Sequence, residues 1–249
     1  MLDDIPGVTA RQRAALHAAG IDTVRKLRAR LRAGDDVSLG PAARAYLEHR
    51  PKKKVRLEEA EWLAQELGRS LWVRGRGAVA RSRVVLVGSG RRGRAVLKDV
   101  DILVVVPDSW RDVLARLEVR GGGVELLASY AAGARRRSVI LRSASRGGAP
   151  RGGASRGGAP RGSTYRVDLF LATDSEKPYA LLHHTGSWKY NVRVRAHAKS
   201  RGWKLNQYGV FVRGSEPPRR VPGSARVKTE ADLARLLGVT PRPPHLREL

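Results

Sequence analysis

The spacing of apolar residues changes once along this 249-residue chain, near Val84, and that change constrains the fold more than any other feature. From Ile5 to about Leu67, apolar residues recur at the three- and four-residue intervals of helices. From Val84 onward they form short runs bounded by Gly and Pro, a pattern typical of strands. These runs are residues 84–87, 100–106, 124–127, 139–141 and 165–172. The sequence therefore predicts an α+β fold, with a helical unit followed by one sheet.

The remaining segments give further predictions. We expect helices near residues 109–120, 178–183, 191–201 and 230–237, and a strand pair around residues 207–212. Residues 142–162 contain Ser-Arg-Gly-Gly-Ala-Pro-Arg-Gly twice and carry no apolar side chain beyond Ala and Pro. Because nothing there can offset the entropy cost of ordering, we predict a disordered insert.

The charge of the chain is strongly one-sided. It has 49 Lys and Arg against 23 Asp and Glu, a net charge of +26. Nucleic acid is the commonest partner for such a surface, and an acidic substrate or a lipid surface is the alternative.

The lack of cysteine excludes disulfides and thiolate metal sites. Since no apolar run is long enough for a signal peptide or a membrane span, we expect an intracellular protein without a membrane partner. Nucleus, cytoplasm and virion all stay open.

One short segment combines two kinds of chemistry. Asp99 and Asp101 lie two residues apart at the start of a predicted strand, so their carboxylates share a face and repel each other unless a cation lies between them. Oxygen ligands favour Mg²⁺ or Mn²⁺. Upstream, the turn at Gly88 and Ser89 offers backbone N–H groups to a phosphate, and Arg92 adds a guanidinium. The spacing fits a nucleoside triphosphate with its metal ions; a glycine turn beside a solvated Asp pair is the alternative.

A third carboxylate completes the candidate site. Asp168 lies in an alternating strand pattern and is the first acidic residue after Glu125. Arg166 is two residues away, so we expect it to share a face with Asp168 and to reach a primer phosphate. An ordinary Arg and Asp pair on a strand is the alternative interpretation.

These motifs resemble the nucleotidyltransferase core of family X DNA polymerases, the group that includes polymerases beta and lambda. Residues 185–209 and 228–244 resemble that family's thumb and tail, and Ile5-Pro6-Gly7-Val8-Thr9 resembles its helix-hairpin-helix. The resemblance implies a helical fingers domain with a helix-hairpin-helix over residues 1–68. A nucleotidyltransferase palm with a mixed β-sheet would follow over residues 69–174, with a small α+β thumb over residues 175–249. We expect neither a lyase domain nor a proofreading exonuclease.

The resemblance also implies roles for individual residues. Asp99, Asp101 and Asp168 would be the catalytic and metal-binding residues, holding Mg²⁺ or, as an alternative, Mn²⁺. Nucleotide binding would fall to Gly88, Ser89, Arg92, Lys98, His183, His184, Gly186 and Asn191. DNA would be bound by Gly7, Val8, Thr9, Arg166 and Arg195, with a monovalent cation as an optional ligand of the hairpin.

Three departures from the family pattern stand out. His183 and His184 replace the Tyr-Phe pair of polymerase beta, which leaves discrimination against ribonucleotides open. Lys98 stands where a small residue is usual, and Thr9 stands where the hairpin usually has its second Gly.

We predict a template-directed DNA polymerase that fills short gaps in DNA repair. Its partners would be gapped or primer-template DNA and a dNTP, and we expect a monomer. Two alternatives stay open: a DNA-binding protein without catalysis, and a nucleotidyltransferase that acts on RNA or without a template.

Overall fold

A computed structural model describes residues 2–110, 113–144 and 159–248, and its N-terminal part is helical, as predicted. Its helices are α1 (Ala10–Ala18), α2 (Val24–Arg32) and α3 (Pro41–His49). Thr9 and Thr23 begin α1 and α2 by accepting hydrogen bonds from backbone N–H groups of the first turn. The apolar side chains of these helices pack into a core of their own.

The next segment, residues 55–70, packs against the central β-sheet of the chain, which is described below. Strand β1 (Val55–Arg56) leads into helix α4 (Leu57–Ser70). The side chains of Leu63 and Leu67 on α4 are buried in the core beneath the sheet, and they do not join the core of the first three helices. This packing favours a domain boundary near residues 50–54, earlier than residue 68, and the three domain limits stay a proposal.

A five-stranded mixed sheet forms the centre of the chain. The elements along this segment are β2 (Leu71–Val73), β3 (Gly77–Ala78), β4 (Val84–Leu86), α5 (Gly88–Arg91), β5 (Val96–Leu97), β6 (Val100–Val106), β7 (Leu117–Val119), β8 (Val124–Ala132), β9 (Arg136–Ser143) and β10 (Thr164–Thr173). The strand order is β4-β6-β10-β9-β8. Only β6 and β10 run parallel within this sheet. All five predicted apolar runs are strands of it, which confirms the sheet prediction.

The helix predicted over residues 109–120 is wrong. The described part of that segment forms two short 3-10 helices, Asp108–Trp110 and Leu114–Arg116, and then β7. Strand β7 pairs with β2, which lies more than 40 residues earlier in the chain. This pairing places β7 in a separate three-stranded sheet of order β3-β2-β7, so the helical spacing of the apolar residues does not decide the structure.

The predicted disordered insert is too wide at its ends. Arg142 and Ser143 belong to β9, and the Ser143 hydroxyl donates to the Pro160 carbonyl at 2.6 Å. Backbone pairing of Ser143 with Ser163 closes the base of the insert. Residues 145–158, on which the rest of the prediction falls, lie outside the described residues.

The C-terminal region is a small α+β unit, as predicted. It contains α6 (Lys177–Thr185), α7 (Trp188–Ser200), β11 (Trp203–Asn206), β12 (Gly209–Val212) and α8 (Glu230–Leu237). Their apolar side chains form a separate core. After α8 the tail packs back on this unit, and the side chain of Arg247 is buried against Glu230 at 2.7 Å. No helix in the described ranges has both the length and the apolar character to cross a membrane.

Candidate active site

Two of the three aspartates face each other across neighbouring strands. Asp101 on β6 is paired in register with Asp168 on β10. Paired residues of adjacent strands point to the same side of a sheet, so the two carboxylates lie side by side. Burial, and then the negative charge of Asp168, raise the pKa of Asp101 to about 6. Asp99 lies immediately before β6. The site therefore holds negative charge that a bound cation would relieve.

Arginine side chains contact two of these carboxylates. Arg166 forms an ion pair with Asp99. Asp168 accepts a hydrogen bond from Arg136 at 2.8 Å and another from the Ser138 hydroxyl.

Arg166 and Asp168 lie two residues apart on β10 and share a face, as expected, while the ion pair of Arg166 is with Asp99. The parallel register pairs Val167 with Val100, which brings Arg166 level with Asp99. Arg136 is a further contact of Asp168 that the sequence did not indicate. No local signal marks this residue, because it reaches the site through the antiparallel pairing of β9 with β10.

The donor set suits a hard divalent ion. Its ligands are carboxylate oxygens, and the raised pKa of Asp101 marks a charge that lacks a sufficient counterion. Within the part of the chain that the structure describes, no three acidic or imidazole side chains converge closely enough to hold one ion together. Arg166 and Arg136 compensate two of the three acids in this conformation. The residues fit divalent metal ions, provided that these guanidinium groups turn aside.

The glycine turn lies directly against the acidic group. Gly88 begins α5 with a φ of +61°, and a Cβ added there would overlap the Asp101 carboxylate. Only glycine combines this backbone conformation with so close an approach. The turn and Asp101 are thus parts of one surface.

A carboxylate of the C-terminal tail forms ion pairs with two arginines beside this turn. The Arg92 Nε donates to the Glu248 carboxylate at 2.6 Å, and Arg94 forms an ion pair with the same carboxylate at 2.9 Å. Hydrogen bonds from Arg94 and Arg92 hold the pKa of Glu248 at about 2. Arg92 also donates to the Thr185 carbonyl. An anion of the chain itself therefore sits where we expect a phosphate.

Most of the predicted site residues line one open cleft with a volume of about 720 Å³. Its walls include two of the aspartates, all of the predicted nucleotide-binding residues and one predicted DNA-binding residue. These are Asp99, Asp101, Gly88, Ser89, Arg92, Lys98, His183, His184, Gly186, Asn191 and Arg195. Asp168 is buried beside Asp101 and does not line the cleft. Arg166 lines a neighbouring cleft together with Lys98, Asp99 and the lysines at 52–54.

The two histidines are held in different ways. His184 stacks on the Phe170 ring with centroids 4.0 Å apart, and the Nδ1 atom of His183 lies 2.7 Å from the Arg195 guanidinium. Burial lowers the pKa of His183 to about 4 and that of His184 to about 3. Both imidazoles are therefore neutral at pH 7. Asn191 donates to the His183 carbonyl at 2.7 Å and fixes this part of the wall.

The hairpin residues lie in the helical region and do not line the cleft. Gly7 has a φ of +78°, and Val8 is buried. Thr9 begins α1 through a reciprocal pair of hydrogen bonds with Gln12, in which the Thr9 N–H donates to the Gln12 Oε1 at 2.9 Å. Thr9 therefore stabilises the helix start, and its N–H is already used in this conformation. Binding of DNA or of a monovalent cation at this hairpin stays a prediction.

Comparison with known proteins gives three kinds of likeness. The family model described as DNA polymerase beta thumb matches residues 180–248. The repair DNA polymerase X of African swine fever virus (isolate Tick/Malawi/Lil 20-1/1983) is 34% identical over 166 residues, spanning 66% of this chain and 80% of the viral protein. DNA polymerase lambda of Rattus norvegicus is 28% identical over 174 residues, spanning 66% of this chain and 28% of that protein. Leishmania infantum polymerase beta, crystallised as a ternary gap complex, superposes with a TM-score of 0.69 at 21% identity, covering 100% of this chain and 88% of that chain.

Proposed function

The chain belongs to the family X DNA polymerases, and from this premise we propose that it fills short gaps in DNA by adding dNTPs to a primer 3′-hydroxyl. Like its relatives named repair DNA polymerase X and DNA polymerase lambda, it is a DNA-directed DNA polymerase of the repair class. Polymerases of this family depend on metal ions. We propose Mg²⁺ here, with Mn²⁺ as the alternative, because the available ligands are carboxylate oxygens.

The three aspartates carry the proposed chemistry. Asp99 and Asp101 would hold two divalent ions, and Asp168 would join them at one ion and orient the primer 3′-hydroxyl. The bound ions would supply charge stabilisation during transfer of the nucleotidyl group. The pairing of Asp101 with Asp168 in the sheet supports this assignment.

The glycine turn and its arginine would bind the triphosphate. Ser89 follows Gly88 at the start of α5, beside Asp101, where a phosphate could meet both the backbone N–H groups and the metal ions. Arg92 would bind phosphate oxygens after releasing Glu248. Lys98, which also lines the cleft, would add a further positive charge.

The proposed DNA contacts lie on both sides of the cleft. Arg166 and the lysines at 52–54 line the neighbouring cleft, which shares Asp99 and Lys98 with the first. A primer strand bound there would bring its 3′ end to the aspartates. Arg195 and Asn191 would contact the nascent base pair from the thumb side, and the hairpin at residues 7–9 would hold a backbone phosphate. We also propose that the chain acts as a monomer.

The contact between Gly88 and Asp101 is the single observation that carries this assignment. A phosphate-binding turn placed directly against a half-buried carboxylate is the arrangement that a metal-bound triphosphate requires. A protein that only bound DNA would gain nothing from the cost of burying Asp101 beside Asp168.

A gap-filling assay tests the proposal. The substrate is a duplex with a one-nucleotide gap, supplied with MgCl₂ and all four dNTPs. We expect extension by the native chain and none by Asp99→Ala or Asp168→Ala. Asp174→Ala removes a carboxylate that is paired with Arg83 on the surface, and this control should extend normally. Parallel reactions replace the dNTPs with rNTPs or the gapped duplex with a single strand. A preference for either replacement would contradict the proposal.

A further inference from the structure

Exposed apolar side chains concentrate at one place. Among the described residues, the large apolar side chains that are exposed are Val96, Trp188, Val192 and Leu246. The first three line the cleft that also holds Asp101 and Arg92. Trp188 is the most exposed of them, at 76%. Exposed aromatic surface inside a polar cleft is a sign of a binding role.

Trp188 is not needed for the fold of the C-terminal unit. It begins α7, whose buried face consists of Tyr190, Val194 and Ala198. Val192 lies one turn after Trp188, on the side of α7 that lines the cleft. The helix start is held by the Ser187 hydroxyl, which accepts a hydrogen bond from the Tyr190 N–H. Replacing the indole therefore removes no packing contact of the core.

Trp188 lines the same cleft as the proposed phosphate site. Gly186 separates the two: a Cβ added at Gly186 would be 3.4 Å from the Arg92 guanidinium and 3.5 Å from the Trp188 backbone nitrogen. The Asn191 amide would be 3.9 Å from the same point. A ligand whose anionic end binds Arg92 can therefore place a flat ring over Trp188 by passing along Gly186.

We propose that Trp188 is the stacking surface for the base of the incoming nucleotide, with Val192 extending that surface by one turn of α7. This inference rests on the function proposed above. The cleft offers Arg92, Arg94 and Lys98 to a polyanion and an indole to an aromatic ring, which is the chemistry of a nucleoside triphosphate. Stacking uses the face that every base has, so the contact contributes affinity without selecting among the four bases.

If Trp188 stacks on the base, its removal should weaken binding of dNTPs but not of an anion that has no base. Trp188→Ala should raise the Kd of each of the four dNTPs by about 5- to 150-fold, the range that loss of a base-aromatic stack produces. Competitive inhibition by inorganic tripolyphosphate should be unchanged, because that anion has no base. Trp188→Phe should recover most of the affinity, since it restores an aromatic face.

The test is single-turnover gap filling by the full chain at varied dNTP concentrations. A second readout is the change in indole emission on adding dATP. This change should be lost in Trp188→Phe and kept in Trp72→Phe. Trp72 is the control because its indole lies under Arg120 on the small β3-β2-β7 sheet and does not line the cleft.

The outcomes separate this inference from the proposed function. If the native chain fills gaps and Trp188→Ala binds dNTPs equally well, the stacking role is wrong and the polymerase assignment stands. If Trp188→Ala loses affinity for gapped DNA and keeps its affinity for dNTPs, the indole contacts DNA and the inference is also wrong. If the native chain extends no primer, the proposed function fails, and the emission change on adding dATP still tests the stacking directly.

Discussion

Asp101→Asn should stabilise the metal-free fold while abolishing polymerisation. Asp101 is half-buried beside Asp168, and this burial raises its pKa from 3.8 to about 6. One pKa unit corresponds to about 1.4 kcal/mol of difference between the protonation states, so the charged form destabilises the fold by at most about 3 kcal/mol at neutral pH. An amide keeps the size of the side chain and carries no charge. We expect the free energy of unfolding to rise by about 1 to 3 kcal/mol at pH 7.5 in EDTA.

The pH dependence of this gain has a definite sign. The pKa of the folded chain lies above that of the unfolded chain, so the folded protein holds the extra proton between pH 3.8 and about 6. In the native chain the destabilisation is absent below that window and grows as pH rises through it. The advantage of the Asn variant should therefore be small near pH 4 and complete above about pH 6.

Urea unfolding across pH 4.5 to 8, in EDTA, measures the effect. The matched control is Asp174→Asn, which removes a surface carboxylate paired with Arg83 and should show no such dependence. Adding MgCl₂ should stabilise the native chain more than the Asn variant, because binding to the folded state shifts the unfolding equilibrium. An Asn variant that is less stable at pH 7.5, or whose gain is the same at all pH values, would refute the reasoning.

Three further outcomes follow from the site. Glu248→Ala frees the Arg92 guanidinium from its ion pair with the tail, so the Kd for dNTP in single-turnover gap filling should fall by about 2- to 10-fold. An unchanged or higher Kd would show that Glu248 does not compete with the nucleotide for Arg92. Gly88→Ala places a methyl group against the Asp101 carboxylate, so the rate of primer extension should fall by at least about 100-fold. Circular dichroism should still show a folded chain. A near-normal extension rate would mean that the turn can shift to accommodate the methyl group. Binding to gapped DNA through its backbone should weaken by more than about tenfold between 50 and 200 mM NaCl in fluorescence anisotropy, and a flat response would contradict backbone binding.

Local signals predicted the sheet and the shared face of the aspartates, for a physical reason. Strands such as β6 and β10 are short apolar runs with clear ends, so a single stretch of sequence defines each one. The positions of Asp99 and Asp101 follow from the two-residue period of a strand. The glycine turn and Arg92 also follow from a local motif. The family resemblance supplied the cleft residues on and between α6 and α7, which are His183, His184, Gly186, Asn191 and Arg195.

The failures share another cause, since each depends on contacts between distant parts of the chain. The helix predicted over residues 109–120 is wrong because β7 pairs with β2. Arg136 reaches Asp168 only through the register of β9, and Glu248 reaches Arg92 only because the tail folds back over the thumb. No periodicity in a window of ten or fifteen residues contains such information.

These long-range contacts have a common electrostatic logic. The acidic part of the site is compensated by Arg136 and Arg166, and the basic part is compensated by Glu248. In the proposed complex, metal ions would replace the two arginines at the acids and a triphosphate would replace Glu248 at Arg92, so binding would exchange internal ion pairs for new ones. The net affinity is then the difference between two sets of similar contacts, which makes it sensitive to any residue that favours one set. For that reason the tail carboxylate and the two arginines, Arg136 and Arg166, should also tune nucleotide affinity.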